Sequence, residues 1–103
     1  MYGTVARLRV KPGMLAQLQA AMRDEDDNLE PRYAGYSAYV YQMDGDPNEL
    51  YLVVMFPDRE SYFANANSPE QHQSYLQMRE CLEADPEWHD GAIIYTGGQA
   101  SRA

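Results

Sequence analysis

The sequence has a single cysteine, Cys81, and a single lysine, Lys11, and it contains neither a long apolar run nor a cluster of basic residues. One cysteine excludes an internal disulfide and a metal site built on cysteine pairs, so we expect no metal. With 16 acidic against 8 basic residues the formal charge is −8, which makes nucleic acid and anionic membranes poor partners. Without a membrane-length apolar run or a signal-like segment, we expect a cytoplasmic protein.

Tyrosine dominates the aromatic residues, with 9 Tyr against 2 Phe and 1 Trp in 103 residues. Because tyrosine combines an apolar ring with a polar hydroxyl group, this bias favours an interface or a partly solvated pocket. A chain of this length forms one domain with one core, so a second apolar surface needs a partner. We expect one domain over residues 1–97 and a flexible tail over residues 98–103, where the sequence is small and polar.

Hydrophobic periodicity and turn signals predict seven elements in the order β-α-β-β-α-α-β. The predicted strands are residues 4–10, 35–43, 49–56 and 92–96, and the predicted helices are residues 14–30, 57–66 and 69–84. Asp58 is the expected N-cap of the second helix, and Ser68, Pro69 and Gln71 form a capping box for the third. This order predicts the ferredoxin-like α+β fold, with a four-stranded antiparallel sheet, helices on one face and the second crossover split in two.

The sheet face away from the helices is predicted to be unusually rich in tyrosine and arginine. Alternation along the strands assigns to it Arg7 and Arg9, with Tyr39 and Tyr41 among its tyrosines. A large face of this kind marks an interaction site, and both residue types are enriched at interface hot spots. We therefore expect a homodimer in which this face meets its own copy across a two-fold axis.

Several short stretches of the sequence, taken together and in order, carry a resemblance to a known family. They are residues 5–13, the Gly35-Tyr36 entry to the second strand, residues 56–64 and residues 67–69. With them the chain resembles, over residues 2–97, the antibiotic biosynthesis monooxygenase (ABM) domain family of the dimeric α/β-barrel superfamily. The resemblance implies a homodimer whose sheets form a barrel, with a cavity between each sheet and its helices.

The resemblance implies several activities. Some family enzymes oxidise polycyclic phenols and quinones with O₂ and no cofactor, some degrade haem, and many have no known activity. We expect an enzyme of the first kind, a cofactor-independent monooxygenase of a small aromatic or quinone-type substrate. The alternative is a non-catalytic homodimer of the same fold that binds a small ligand or serves a structural role.

Three family positions bear on that choice. The haem-degrading members use Asn, Trp and His where this chain has Ala6, Asn65 and Tyr75, which argues against haem degradation. Many members carry His at the place of Asn65 and Trp at that of Phe56. Both are absent here, which favours the non-catalytic alternative.

Five residues are candidates for the implied pocket: Tyr36, Phe56, Asn65, His72 and Tyr75. His72 and Tyr75 are three residues apart on a predicted helix and share a face. His72 is either a base or anion-binding group near the cavity mouth, or a surface or capping histidine. Asn65 either orients a substrate oxygen or caps the short helix.

The remaining notable residues have simpler interpretations. The acidic run Asp24 to Asp27 lacks the glycine turn and distal Glu of a calcium loop, so we expect a solvated helix face. Trp88 and His89 fall in a predicted irregular segment, where they either fold over the pocket or simply pack. Cys81 is expected to be a buried small hydrophobic residue.

Overall fold

The computed structural model describes residues 1–29 and 31–98. Its elements follow the predicted order. The strands are β1 (Tyr2–Arg9), β2 (Ser37–Met43), β3 (Asp46–Phe56) and β4 (Glu87–Ala92), and the helices are α1 (Leu15–Leu29), α2 (Arg59–Ala66) and α3 (Pro69–Glu80). The predicted α+β class and ferredoxin-like arrangement are therefore confirmed. Of the predicted tail, only Gly98 is described, and residues 99–103 lie outside the described part of the chain.

The four strands form one antiparallel sheet in the spatial order β2-β3-β1-β4. Alternation along central β1 separates its two faces, because successive side chains of a strand point to opposite sides. Ala6 and Leu8 are fully buried under the helices, whereas Val5, which precedes Ala6 and points to the opposite face, is 44% exposed. The helices thus cover one face of the sheet.

The hydrophobic core lies between that face and the helices α1 and α3. Its members come from β1 and the residue after it, from β3, α1 and α3, and from the turn after α3, and are all buried: Ala6, Leu8, Val10, Leu18, Leu50, Met78, Cys81 and Leu82. Cys81 is buried as predicted, and this burial raises the pKa of its thiol. The core fills the end of the sheet near the β1–α1 turn and leaves the other end open.

The predicted position of the last strand was wrong. β4 is Glu87–Ala92 rather than residues 92–96, and it pairs with β1 from Tyr2–Ala92 to Arg7–Glu87. The polar stretch with Trp88 and His89 is therefore a strand and not an irregular segment. The free edge of β1 needs hydrogen-bond partners, and that tertiary requirement outweighs the weak strand propensity of the local sequence.

The predicted end of the third helix was also wrong, because α3 stops at Glu80 instead of residue 84. The chain after it pairs with the end of β1. Lys11 N–H donates to the Cys81 carbonyl (2.8 Å) and Glu83 N–H donates to the Arg9 carbonyl (2.9 Å). These bonds need extended backbone, so the helix ends before them.

Side-chain caps begin the second and third helices. Asp58 accepts a hydrogen bond from the Ser61 amide (2.7 Å), and Ser68 Oγ accepts one from the Gln71 amide (3.1 Å), as predicted. The reciprocal half of the predicted capping box is absent within the described residues. The Ser68 amide donates to the Asn65 carbonyl (3.0 Å), which leaves the Gln71 side chain for another partner. Among residues 1–29 and 31–98, no helix is long and apolar enough to cross a bilayer.

Candidate functional site

A cavity of about 460 Å³ lies between the sheet and all three helices. The helix-facing side chains of the strands form its floor. Six aromatic residues contribute to its wall: Tyr36, Phe56, Tyr62, Phe63, Tyr75 and Trp88. Pockets of roughly 300–1,000 Å³ with apolar walls and a few polar groups are the usual form of small-molecule sites. This cavity has room for a fused-ring aromatic molecule.

Phe56 is the centre of the aromatic wall. It is the last residue of β3, which ends before Pro57. Its side chain is only 1% exposed because α2 covers the ring. Its ring meets Tyr33, Tyr36 and Tyr62 edge-on, with centroid distances of 5.1, 5.3 and 5.6 Å. Edge-to-face pairs of this kind add to the stability gained by burial. The cluster fixes one end of the cavity.

Two tyrosine–aspartate pairs lie on either side of Phe56. The Tyr36 hydroxyl donates to Asp26 Oδ1 (2.6 Å), and the Tyr62 hydroxyl donates to Asp90 Oδ1 (2.8 Å). Burial, and then the bond to Asp90, raise the pKa of Tyr62 well above its ordinary value. The phenol is therefore protonated at neutral pH and serves as a donor that orients the carboxylate.

A second polar group joins α1 to α2 and α3. Asn65 is buried (7% exposed), and its Nδ2 donates to Gln71 Oε1 (3.2 Å). The Gln71 side chain is also close enough to the half-buried Glu25 carboxylate to lower the pKa of Glu25, but burial, which raises it, is the larger effect. The Asp26 charge acts in the same direction as burial, so the pKa of Glu25 is raised overall. A carboxylate whose pKa is raised is a stronger base than an exposed one, which suits it to accept a proton from a bound ligand.

The hydroxyl of Thr4 is unusual because it is buried in the cavity wall without a hydrogen-bond partner among residues 1–29 and 31–98. Thr4 is 4% exposed. Its hydroxyl is close enough to the Tyr62 hydroxyl to lower the pKa of that phenol slightly, without a hydrogen bond of good geometry between them. A buried polar atom left in this state needs a structural or functional reason.

The structure brings the five predicted pocket residues together, since Tyr36, Phe56, Asn65, His72 and Tyr75 all line the cavity. His72 is exposed, whereas Asn65 is buried. Their role in binding a ligand stays a prediction.

The four predicted interface residues lie on the opposite face of the sheet, away from the cavity. Tyr39 and Tyr41 are 51% and 58% exposed. Arg7 and Arg9 are partly exposed and form ion pairs within the chain, with Glu87 (3.0 Å) and Asp46 (3.0 Å) respectively. These contacts hold both guanidinium groups against the sheet. Their place in a dimer stays a prediction.

Sequence reasoning missed several cavity residues. The acidic run Asp24 to Asp27 was predicted to be solvated, which is wrong for Glu25 and Asp26, because both are half-buried and line the cavity. Their spacing from Met22 and Leu29 carries the signal, since positions three, four and seven apart share a helix face. Trp88 lines the cavity from β4, which agrees with the first of its two predicted placements, over the pocket, although its segment is a strand. Within the described ranges no group of three or more His, Cys, Asp or Glu side chains is placed to hold a metal ion.

Comparison with known proteins gives the fold a context. No protein-family model matches the sequence, and no curated protein matches it. Solved structures do. A candidate ABM protein from Caulobacter crescentus CB15 superposes with a TM-score of 0.79 at 12% identity, covering 91% of this chain and 90% of that one. SnoaB from Streptomyces nogalater, a cofactor-independent oxygenase solved as a point mutant, gives 0.77 at 12% identity, with 92% and 94% covered.

A third similar structure is Rv0793 from Mycobacterium tuberculosis, with a TM-score of 0.73 at 19% identity and coverage of 94% of this chain and 98% of that one. At these identities the similarity shows the fold. The chain therefore has the fold of the antibiotic biosynthesis monooxygenases, and the predicted resemblance is confirmed at that level.

Proposed function

We propose that the protein is a cofactor-independent monooxygenase that oxidises a small aromatic or quinone-type substrate in the cavity described above. The observation that carries this proposal is the aromatic cavity of about 460 Å³ with Glu25, Gln71 and the hydrogen-bonded Asn65 close together in its wall. The fold shared with SnoaB, which is a cofactor-independent oxygenase, supports it by analogy.

The polar residues have distinct roles in this reaction. Glu25 takes a proton from an acidic C–H or O–H of the substrate, since its pKa is raised by burial. The second N–H of the Asn65 amide donates to the substrate oxygen where negative charge develops. The resulting electron-rich anion reduces O₂ directly. A methylene carbon between two aryl rings loses both hydrogens and gains one oxygen atom, and the second oxygen atom leaves as water.

Oxygen uptake and product mass against a panel of hydroxylated anthrones and quinols test the proposal. We expect one O₂ consumed per product formed. Glu25→Gln should lower kcat by about 100-fold, the usual contribution of a positioned general base. Asp24→Asn is the matched control, because Asp24 is exposed on the same helix, and it should keep wild-type activity. The absence of turnover above the buffer rate across the panel would contradict the proposal.

The alternative is a non-catalytic homodimer that binds a small ligand in the same cavity. The asparagine at position 65 and the phenylalanine at position 56 favour it, since they replace the His and Trp of many family members. The unfilled cavity argues against a purely structural role, for which packed side chains are expected. Ligand binding by calorimetry without oxygen uptake on any panel substrate would support this alternative.

We also propose that the protein forms a homodimer through the uncovered sheet face. The register places Tyr39 beside Val53 and Val53 beside Val5, so the exposed Tyr39 and Val5 and the half-buried Val53 form a continuous apolar band across three strands. A flat apolar and aromatic band is best covered by an identical surface. Sedimentation equilibrium should give about twice the 11.8 kDa chain mass.

A charge-introducing pair of variants tests this face. Tyr41→Lys should yield monomers, because it places a charge in the proposed interface. Gln73→Lys adds the same charge on the exposed surface of α3 and should leave the dimer intact. A monomeric wild-type chain at micromolar concentration would overturn the proposal.

A further inference from the structure

We infer that the cavity contains an ammonium-binding subsite formed by Asp90, Thr4 and Trp88, so that it selects aromatic ligands carrying a protonated amine over neutral ones and disfavours anionic ones. The inference rests on the proposed function in taking this cavity as the ligand site. It goes beyond that function in assigning the charge of the ligand and the place where the charge binds.

The first observation is the sign of the charges in the cavity wall. Glu25 and Asp26 enter from α1, and Asp90 enters from β4. The lining residues of the described chain include neither Lys nor Arg. Arg59 stacks over the Phe63 ring at 5.2 Å but does not line the cavity, and the lining residue His72 is exposed. A cleft with one sign of charge and low-dielectric walls concentrates ligands of the opposite sign.

Asp90 and Asp26 each accept one hydrogen bond from a neutral tyrosine hydroxyl. Asp90 accepts from the Tyr62 hydroxyl (2.8 Å), and Asp26 accepts from the Tyr36 hydroxyl (2.6 Å). A phenol is a neutral donor and occupies one of about four acceptor positions of a carboxylate. Each carboxylate is therefore oriented but not neutralised, and it keeps acceptor capacity for a cationic donor.

The register of the sheet then places the subsite. Thr4 and Asp90 are directly paired across β1 and β4, so their side chains are neighbours on the helix-covered face. Trp88 precedes Asp90 by two residues on the same strand and faces the same side. An ammonium group at this position meets a carboxylate, a hydroxyl oxygen and an indole ring, which is the strongest of the aromatic partners for a cation.

The unpartnered hydroxyl of Thr4 is the independent sign that this position receives a ligand. Its Oγ1 atom is buried in the cavity wall and has no hydrogen-bond partner in residues 1–29 and 31–98. Its lone pairs suit a donor such as an ammonium N–H. A ligand that supplies this donor satisfies an atom that the protein leaves unsatisfied.

Calorimetric titration with three ligands of equal shape tests the charge preference. The probes are 1-naphthylmethylamine as the cation, 1-naphthalenemethanol as the neutral form and 1-naphthoate as the anion. We expect the amine to bind about tenfold more tightly than the alcohol, which corresponds to about 1.4 kcal/mol, and the naphthoate to bind at least about tenfold more weakly than the alcohol.

Two variants assign the preference to named atoms. Asp90→Asn keeps an acceptor for the Tyr62 hydroxyl but removes the charge, so amine affinity should fall to that of the alcohol while alcohol affinity stays constant. Thr4→Val should weaken the amine by several-fold and raise the thermal stability of the free protein, since it removes an unsatisfied buried hydroxyl. Asp24→Asn, on the exposed side of α1, is the matched control and should change neither ratio.

The outcomes separate this inference from the proposed oxygenase activity. Three results would each overturn the inference. The naphthoate could bind as tightly as the amine, the amine preference could survive in Asp90→Asn, or none of the three probes could bind. Turnover of neutral or anionic phenols without any preference for amine-bearing substrates would overturn it and leave the oxygenase proposal standing. Amine-selective binding without oxygen uptake would support it and count against the oxygenase.

Discussion

Replacing Phe56 by alanine should remove a large part of the stability of the domain. The ring is 1% exposed and packs against Tyr33, Tyr36 and Tyr62 at centroid distances of 5.1–5.6 Å. Truncation of a buried phenylalanine costs about 3–5 kcal/mol. The space left here joins an existing cavity of about 460 Å³, which water can enter, so the penalty for an empty void is reduced. We therefore expect a value near the lower end, about 3 kcal/mol.

Urea and thermal unfolding at one fixed protein concentration measure this effect, because the stability of the proposed homodimer would depend on concentration. A loss of about 3 kcal/mol lowers Tm by roughly 12–24 °C for a domain of this size. Phe56→Leu is the matched control. It keeps most of the apolar volume and should cost less than about 1.5 kcal/mol. A Phe56→Ala protein within about 1 kcal/mol of wild type would show that the ring does not hold the aromatic cluster together.

Three further predictions concern the cavity and its supports. Glu25→Gln should remove a pH dependence of the free energy of unfolding. The pKa of Glu25 is higher in the folded than in the unfolded chain, so the folded chain binds more protons between these two pKa values. The free energy of unfolding of the wild type therefore falls as pH rises through that window. Urea unfolding from about pH 4 to about pH 8 measures this, and equal slopes for variant and wild type would refute it. Ser68→Ala should cost about 1 kcal/mol in thermal unfolding through loss of the cap on the Gln71 amide, whereas Ser68→Thr keeps the acceptor and should cost little. Gly3→Ala should destabilise by roughly 1–3 kcal/mol or more, because a Cβ atom there would overlap the Val54 carbonyl group of β3; an unchanged Tm would contradict the spacing of these strands.

Local sequence signals were sufficient for most of the fold. The alternation of Ala6, Leu8 and Val10 against Val5 correctly separated the two faces of β1. Turn and cap residues placed the starts of α2 and α3, because a side-chain acceptor at an N-cap acts within three residues of itself. Signals with this short range are read directly from the sequence.

The last strand and the end of α3 were not predictable in this way. Residues Glu87–Ala92 have no apolar alternation, and they become a strand because the free edge of β1 needs partners. The more apolar segment after them was the better strand by propensity, yet Ile94 lies outside the sheet and is 95% exposed. Pairing between distant segments decided both cases, and such pairing leaves little trace in local composition.

The residues of the candidate site were likewise predictable only in part from the sequence. By itself the sequence determined the fold class, the two sheet faces and five of the side chains that line the cavity, because periodicity and family resemblance both report on local pattern. Only the tertiary structure brought Glu25, Gln71 and Asn65 together in one polar group and set Thr4 beside Asp90. Those residues come from separate helices and strands, so the distances between them exist only once the sheet has paired and the helices have packed on it.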